Sequence, residues 1–494
     1  MKIKQKMMVG MVAFTMFFSG AAFTAPSADA ASPYSSLQSS AASVLNDSRL
    51  KGVTHSVTVQ NATTGEVVFE KNSNQLVTPA STLKTLTAAA ALETLGENHR
   101  FTTQVLTNGS VAKGTLYGNL YLRGQGDPTL LKKDFDAFAS ILSKRGVQRL
   151  SGHLIGDDTW YDADRLSPGI SKEDESYYYA AQISALSLAP NTDYDTGSVI
   201  VHAKASSQGK PAKVTLTPAT NVVQIINKSK TVAKGSRNTL KIERQYGTKK
   251  VIITGNAPIG NDGTKEWIAV SNPTAYALDV FKKSLSEKGI RFVATSKTVS
   301  GKTPANARVL LTKNSMPLKQ LMVPFLKLSN NTHAEVLAKE MGKQVYGDGS
   351  WDSGLKVMRD YGASIGLDMS KWKFEDASGM SHANKTTSKE LSKLLIHVRS
   401  EPWYKSYLNG LPVAGAKERF VGGTLRQRLT TGAAKGNVIA KTGSLNNVSA
   451  LSGYVKTKDG EWLTYSILTQ NTKSSTVPVI DRLASTIANS KKTK

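Results

Sequence analysis

The sequence predicts a mixed α/β protein in which a helix-and-strand unit is split by a long β-rich insertion. Three observations carry that expectation. A hairpin pattern and a helical pattern sit close together near the N-terminal end. Residues 99–310 are then dominated by Thr, Val, Gly and Lys in short alternating runs, and from about 311 helical spacing returns, followed by strands. At 494 residues the chain exceeds one ordinary core, so two or three domains are expected.

The first thirty residues read as a secretory signal. Lys2, Lys4 and Lys6 precede the apolar run VGMVAFTMFFSGAAF, and Ala28-Asp29-Ala30 supplies a small-residue cleavage pattern, with cleavage expected after Ala30. No later segment is apolar for long enough to span a bilayer. The expected location is therefore outside the cell, or at the wall or membrane surface, with no transmembrane span in the mature chain.

A short helix is expected at 35–46. HSVTVQ (55–60) and EVVFEKN (66–72) then flank Asn61-Ala62-Thr63-Thr64-Gly65 as a hairpin. The stretch VTPASTLKTLTAAAALETLG (77–96) reads as a helix. Thr78 serves as N-cap, Pro79 takes the first helical position, where its missing N–H costs nothing, and Gly96 ends it. Leu83, Leu86, Ala90 and Leu95 give the apolar stripe, and the alanine-rich interior suggests burial on several sides.

Strands are expected at FTTQVL, GTLYGNLYL, SVIVHA, AKVTLTP, NTLKIERQ and KVIITG. Among them lies the turn-rich stretch GDDTWYDADRLSPGISKEDESYYY, where acids and tyrosines cluster. Helices follow at SMPLKQLMVPFLKL, THAEVLAKEMGKQV and 387–398, then strands at GNVIAKT, ALSGYVKT and EWLTYSILTQ. A last helix, at 476–490, is placed to pack back against the sheet.

Net charge is +26, and loss of Lys2, Lys4, Lys6 and Asp29 with the signal leaves about +24, a balance that favours polyanions. The lysines are spread along the chain without an aromatic-and-basic module, so nucleic acid is not the expected partner. For an exported protein the polyanions at hand are wall polymers and anionic headgroups. There is no cysteine, which removes both disulfides and a thiol nucleophile. The seven histidines lack an HExxH spacing. Asp127, Asp157 and Asp158 lack the spacing of a calcium loop, and GQGDP (124–128) lacks the fingerprint of a phosphate loop and reads as a turn. No metal and no organic cofactor are expected.

Three short motifs carry the chemistry. Ser81-Thr82-Leu83-Lys84 puts a hydroxyl and an ammonium on one helix face, near the free N–H groups of a helix start. The spacing alone decides little, since it recurs at Ser48/Lys51, Ser207/Lys210, Ser353/Lys356 and Ser370/Lys373. Ser329-Asn330-Asn331 lies between two helices; its plain alternative is a cap from Asn331 or Thr332, with Glu335 closing a box from Thr332. Lys441-Thr442-Gly443, followed by Ser444, lies on or beside a strand, where Gly443 admits a bulge or a close backbone approach. All three occur in the order and on the elements that mark penicillin-recognising serine enzymes. Ser81 is the expected nucleophile.

On these motifs the chain resembles the low-molecular-mass class C penicillin-binding proteins, D-alanyl-D-alanine carboxypeptidases of peptidase family S13. The resemblance covers essentially the whole mature chain. It includes TPASTLKTLTAAAAL, YLRGQGDPTL, AAQISALSLAPN, LSNNTHAEVLAKEMG, DASGMSHANKTT, LPVAGAKERFVGGTLRQRL and AKTGSLNNVSALSGY. It implies a serine β-lactamase/transpeptidase-like α/β domain at 31–98 and 311–494. Two nested, mainly β domains interrupt it, one at 99–125 and 206–310 and the other at 126–205.

It also implies roles. Lys84, with a proton affinity lowered by burial and by Lys441, takes the proton of Ser81. Ser329 passes a proton to the leaving amine, Asn331 binds the acyl-side amide, and Lys441 supplies positive charge. Thr442, Gly443 and Ser444 bind substrate, with the Thr442 and Ser444 hydroxyls on its terminal carboxylate. The backbone N–H groups of Ser81 and Ser444 form the oxyanion hole. The implied partners are peptidoglycan stem peptides, with β-lactams as covalent inhibitors, and cleavage of D-alanyl-meso-diaminopimelyl crosslinks is a second reaction open to the same site. A serine β-lactamase and a non-catalytic wall-binding protein are the alternatives. Persistence of a penicilloyl adduct separates off the first, and D-alanine release from a pentapeptide the second.

Overall fold

The computed structural model describes residues 33–492, so the signal segment and its cleavage point lie outside the described residues. One antiparallel sheet organises the unit that holds the motifs. Its strands are β1 (Thr54–Asn61), β2 (Val67–Lys71), β3 (Ile439–Leu445), β4 (Val448–Lys456) and β5 (Trp462–Gln470), in the order β2-β1-β5-β4-β3. The expected hairpin β1–β2 and the three C-terminal strands are all present. They meet because β1 pairs with β5 from Thr54↔Gln470 to Asn61↔Leu463, which joins the two ends of the chain in one sheet.

The longer helices around this sheet are α1 (Ser35–Leu45), α2 (Lys84–Leu95), α3 (Asn331–Tyr346), α4 (Trp351–Ser364), α5 (Ser388–Val398) and α6 (Val477–Asn489). Strand alternation assigns the two faces. Val57, Val59, Leu463, Tyr465 and Ile467 pack with Leu37 and Ala41 of α1 and with Ile480, Leu483 and Ile487 of α6. On the opposite face Ser56 and Thr58 meet Ser388 of α5, each at 2.7 Å, while Ala450, Tyr454 and Leu468 join a core with α2, α3 and α4. Buried on both faces, β4 is covered along all but its last residue. Among the described residues no helix is long and apolar enough to cross a membrane.

Helix α2 is the pivot. Lys84 through Leu92 are all buried, and the run Ala88–Ala91 lets neighbouring helices approach on every side. Leu83 and Leu86, both essentially inaccessible, contribute about 1.5–3 kcal/mol each by burial. Its entry departs from the expected one. Thr78 does not cap it: its hydroxyl donates to the His382 carbonyl (3.2 Å) and accepts from Lys385 Nζ (2.6 Å). The chain enters through a 3₁₀ turn, Ala80–Leu83, and the α-helix begins only at Lys84. Tertiary partners took the side chain that local sequence had assigned to the cap.

The cap of α3 also differs. Asn330, rather than Asn331 or Thr332, accepts the His333 N–H, and Glu335 closes no box with Thr332. Asn331 is drawn instead to Lys84.

Segment 99–310 contains the strands expected from FTTQVL, GTLYGNLYL, SVIVHA, AKVTLTP, NTLKIERQ and KVIITG. It is less purely β than its alternation suggests, since Lys132–Lys144 and Pro273–Glu287 are helices. The topology demands them. Leu120–Gly124 pairs in parallel with Leu154–Asp157, which in turn pairs in parallel with Thr298–Ser300, and parallel neighbours need long crossovers. The two helices meet through Phe135 and Phe281, with ring centroids 5.4 Å apart.

Candidate active site

Ser81 sits in the 3₁₀ turn, where residues three apart eclipse, so Lys84 lies directly beneath it. The Lys84 ammonium donates to Ser81 Oγ (2.9 Å), to Asn331 Oδ1 (2.7 Å) and to the Ser378 carbonyl (2.6 Å). The lysine is fully buried, and burial lowers it from the usual lysine range to about 7; Asp376 and then Glu335 pull it back upward. Burial therefore does what the sequence reading had shared between burial and Lys441.

Lys441, on edge strand β3, is also fully inaccessible. Its Nζ donates to Ser329 Oγ (2.7 Å) and to the Thr442 carbonyl (2.8 Å). Burial, then repulsion from Lys84, pushes it well below the ordinary lysine range. The β3–β4 register runs unbroken from Ile439↔Tyr454 to Leu445↔Val448, so Gly443 is not in a bulge. It serves a close approach: a Cβ there would stand 2.8 Å from the Pro79 carbonyl and 3.2 Å from Ala80 Cβ. The Thr442 hydroxyl donates to Thr424 Oγ1 (2.8 Å), and Ser444 is exposed.

Ala80, next to Ser81, and Ser329 itself hold unusual backbone angles. Ala80 has φ +47° and Ser329 has φ +61°, each a conformation that costs an L-residue about 1–2 kcal/mol. Ala80 is held by its neighbour: its carbonyl would lie 2.0 Å from a Cβ at Gly379, where φ is +85°. Ser329 follows the π-helical turn Val323–Lys327, and the Asn330 N–H donates to the Phe325 carbonyl (2.9 Å).

Asn331 is engaged at both ends, with Oδ1 taken by Lys84 and Nδ2 donating to the Tyr179 carbonyl (2.8 Å). Ser81, Ser329, Asn331 and Ser444 line one cleft of about 610 Å³. Its far wall comes from the inserted segment, through Asp174, Tyr178, Tyr179 and Asp195. The tyrosine-and-acid cluster had been visible in the sequence, but nothing local placed it opposite Ser81. Asp195, raised to about 7 chiefly by burial and next by Asp193, accepts from Asn330 Nδ2 at 3.1 Å. A wider groove of about 900 Å³, lined in part by Lys319, Lys327 and Phe420, holds none of the motif residues.

Sequence reasoning also missed Glu335 and Asp376, which lie behind Lys84. Glu335 had been assigned to a capping box, and Asp376 belongs to a stretch read only for its resemblance. The available signal was periodicity: Glu335 is one turn beyond Asn331 on α3, on the same face.

The chain matches the model of the D-Ala-D-Ala carboxypeptidase 3 (S13) family over residues 37–489. It is 39% identical over 428 residues to a D-alanyl-D-alanine carboxypeptidase of an Actinomadura species, an alignment covering 86% of this chain and 79% of the relative. The structure of penicillin binding protein 4 from Haemophilus influenzae superposes with a TM-score of 0.76 at 22% identity, covering 90% of this chain and 97% of that one. The same protein complexed with a β-lactam superposes with a TM-score of 0.71 at 23% identity, with the same coverage.

Proposed function

The chain belongs to the D-Ala-D-Ala carboxypeptidase 3 (S13) family, and from that premise we propose that it is a serine D-alanyl-D-alanine carboxypeptidase working through an acyl-enzyme on Ser81. Its substrates are peptidoglycan stem peptides, and β-lactams acylate the same serine. The observation that carries this reading is the contact of a buried lysine, lowered to about 7, with the Ser81 hydroxyl at 2.9 Å.

A neutral Lys84 has two hydrogens, which suit Asn331 Oδ1 and the Ser378 carbonyl, and one lone pair, which faces the Ser81 proton. Ser81 Oγ then attacks the carbonyl between the two terminal D-alanines while Lys84 takes its proton. The tetrahedral oxyanion is received by the Ser81 and Ser444 N–H groups. Collapse breaks the C–N bond. Ser329 gives its proton to the leaving amine and is re-protonated by Lys441, whose hold on its own proton burial has weakened. The proton that Lys84 took from Ser81 then restores Lys441, which leaves Lys84 neutral for the attack of water. The Thr442 and Ser444 hydroxyls bind the terminal carboxylate beside Gly443. Asn331 offers Nδ2 to the acyl-side amide in exchange for the Tyr179 carbonyl. Water finally cleaves the ester. With a β-lactam the leaving nitrogen stays tethered, which keeps the acyl-enzyme long-lived.

The division into 31–98 with 311–494, 99–125 with 206–310, and 126–205 is part of the same proposal, as are export and salt-sensitive attachment to anionic envelope polymers. A wash in roughly 1 M NaCl should release the protein from cells; retention unchanged by salt would refute charge-based attachment. The central test is D-alanine release from a pentapeptide ending in D-Ala-D-Ala, by the wild type and by Ser81→Ala. Release by both would refute the assignment, and rapid turnover of benzylpenicillin would favour a β-lactamase. Cleavage of a crosslinked dimer by the wild type alone would establish endopeptidase action at the same serine.

A further inference from the structure

Three charged groups face Lys84: Glu335 from α3, Asp376 from the segment before α5, and Lys441 from β3. Glu335 and Asp376 are 2% and 0% exposed. Burying two carboxylates costs several kcal/mol per ion unless their oxygens are satisfied. Here six donors converge on them. Glu335 accepts from Trp351 Nε1 (2.8 Å), Ala377 N (3.2 Å) and Ser378 N (2.9 Å). Asp376 accepts from Gly379 N (2.8 Å), Ser381 N (2.7 Å) and Asn384 Nδ2 (2.8 Å).

Four of the six donors are backbone N–H groups of a single loop, Ala377–Ser381. The carbonyl of Ser378 in that loop accepts from Lys84 Nζ at 2.6 Å. The next residue, Gly379, lies against the Ala80 carbonyl beside the nucleophile. In all six contacts the carboxylate is the acceptor, as ionised groups require.

We propose that Glu335 and Asp376 are positioning residues for the general base: they clamp Ala377–Ser381 so that the Ser378 carbonyl fixes one Lys84 hydrogen, and their negative charge keeps Lys84 basic enough to hold the Ser81 proton. The inference rests on the reading of Ser81 and Lys84 given above. Electrostatics act in the same direction. Burial drives Lys84 down and the two acids offset part of that drop, so neutralising either lowers Lys84 further. Burial raises both acids, and repulsion from Asp376 raises Glu335 further, to about 7.

The test is the pH profile of kcat/KM for D-alanine release by the mature enzyme, from about pH 5 to about pH 9, for Glu335→Gln and Asp376→Asn. A weaker base loses its proton at lower pH, so the acid limb should move down by about one pH unit while the plateau falls about tenfold. A lowered rate with an unmoved limb would overturn the proposal, since a purely structural role reduces rate without changing the titration. Far-UV circular dichroism checks folding. Should both variants fail to fold, Trp351→Phe removes one donor to Glu335 and keeps both carboxylates. It should move the limb in the same direction by less, and an unmoved limb there overturns the proposal as well. Penicillin adducts on the same variants separate the two failures. An adduct that remains on Ser81 beside an unmoved limb sinks only the positioning role, whereas an adduct elsewhere sinks the Ser81 assignment itself.

Discussion

The inserted segment and the cleft both bury cations, and they treat them in opposite ways. In the insert, Arg244 is 4% exposed and closed on all sides. It donates to the carbonyls of Ala269 (2.8 Å), Thr248 (2.8 Å) and Glu175 (2.7 Å), and its charge is met by the Glu175 carboxylate at 3.2 Å. Lys313, just past the insert, likewise meets the buried Asp127 at 2.7 Å. In the cleft, Lys84 and Lys441 are buried more completely, yet among the described residues neither is in an ion pair. Each points instead at a serine hydroxyl. A buried cation locked to a carboxylate holds its proton firmly and serves the fold. One that faces a hydroxyl holds its proton weakly, which makes it available for transfer.

The sharpest test of the contrast removes the hydroxyl. Ser81→Ala should abolish both D-alanine release and penicillin labelling, and intact-mass measurement should find one adduct on the wild type and none on the variant. An adduct surviving at Ser353 or Ser207 would break the distinction between paired and reactive sites. Lys84→Arg keeps a cation in place but removes the proposed base, because arginine stays protonated at any working pH. Its acylation rate should fall about 10²–10⁴-fold, and retention of more than about a tenth would place the base elsewhere.

On the structural side, Arg244→Met should leave Glu175 buried without its partner and cost about 3–5 kcal/mol. Thermal unfolding should report that loss while kcat per folded molecule stays unchanged; a matching fall in kcat would mean that the two regions are not separable. Gly443→Ala presses a Cβ toward Pro79 and should move β3 off the Ser81 turn. Overpacking of about 1–3 kcal/mol should then slow acylation about 10- to 100-fold and lower the melting temperature by a few degrees.

The mildest intervention is pH. Burial lowers Lys84 to about 7, and in the proposed mechanism it acts as a base only when neutral, so wild-type kcat/KM should fall about tenfold per unit as pH drops below that value. A profile flat from about pH 5 to about pH 7 would contradict the reading of Lys84.

Much of this was legible in sequence because it is local or periodic. The Ser81/Lys84 spacing, the strand carrying Lys441, Thr442 and Gly443, the hairpin, the three last strands and the final helix each announce themselves within a dozen residues. The two helices of the insert were missed although Phe135, Phe138, Ala139 and Leu142 carry a helical period, because the surrounding alternation set the expectation. The caps were misassigned for a different reason. Thr78, Asn331 and Glu335 all have good local alternatives, and each was recruited by a distant partner: His382 and Lys385, Lys84, and the loop after Asp376.

The sequence by itself determined the kinds of group available: a serine with a lysine one turn on, a second serine before a helix, and a lysine on a strand that needs a glycine. The expectation that Ser81/Lys84, among several Ser-x-x-Lys pairs, is the reactive one came from the set of motifs, not from the pair. Tertiary structure alone decided that Lys84 lies out of water, that two carboxylates stand behind it, and that tyrosines and acids of the insert wall the cleft. The physical reason is that proton affinity depends on desolvation and on charges brought near by folding. Neither is a property of neighbours in the chain; both arise only when β1 closes onto β5 and the ends of the chain are joined.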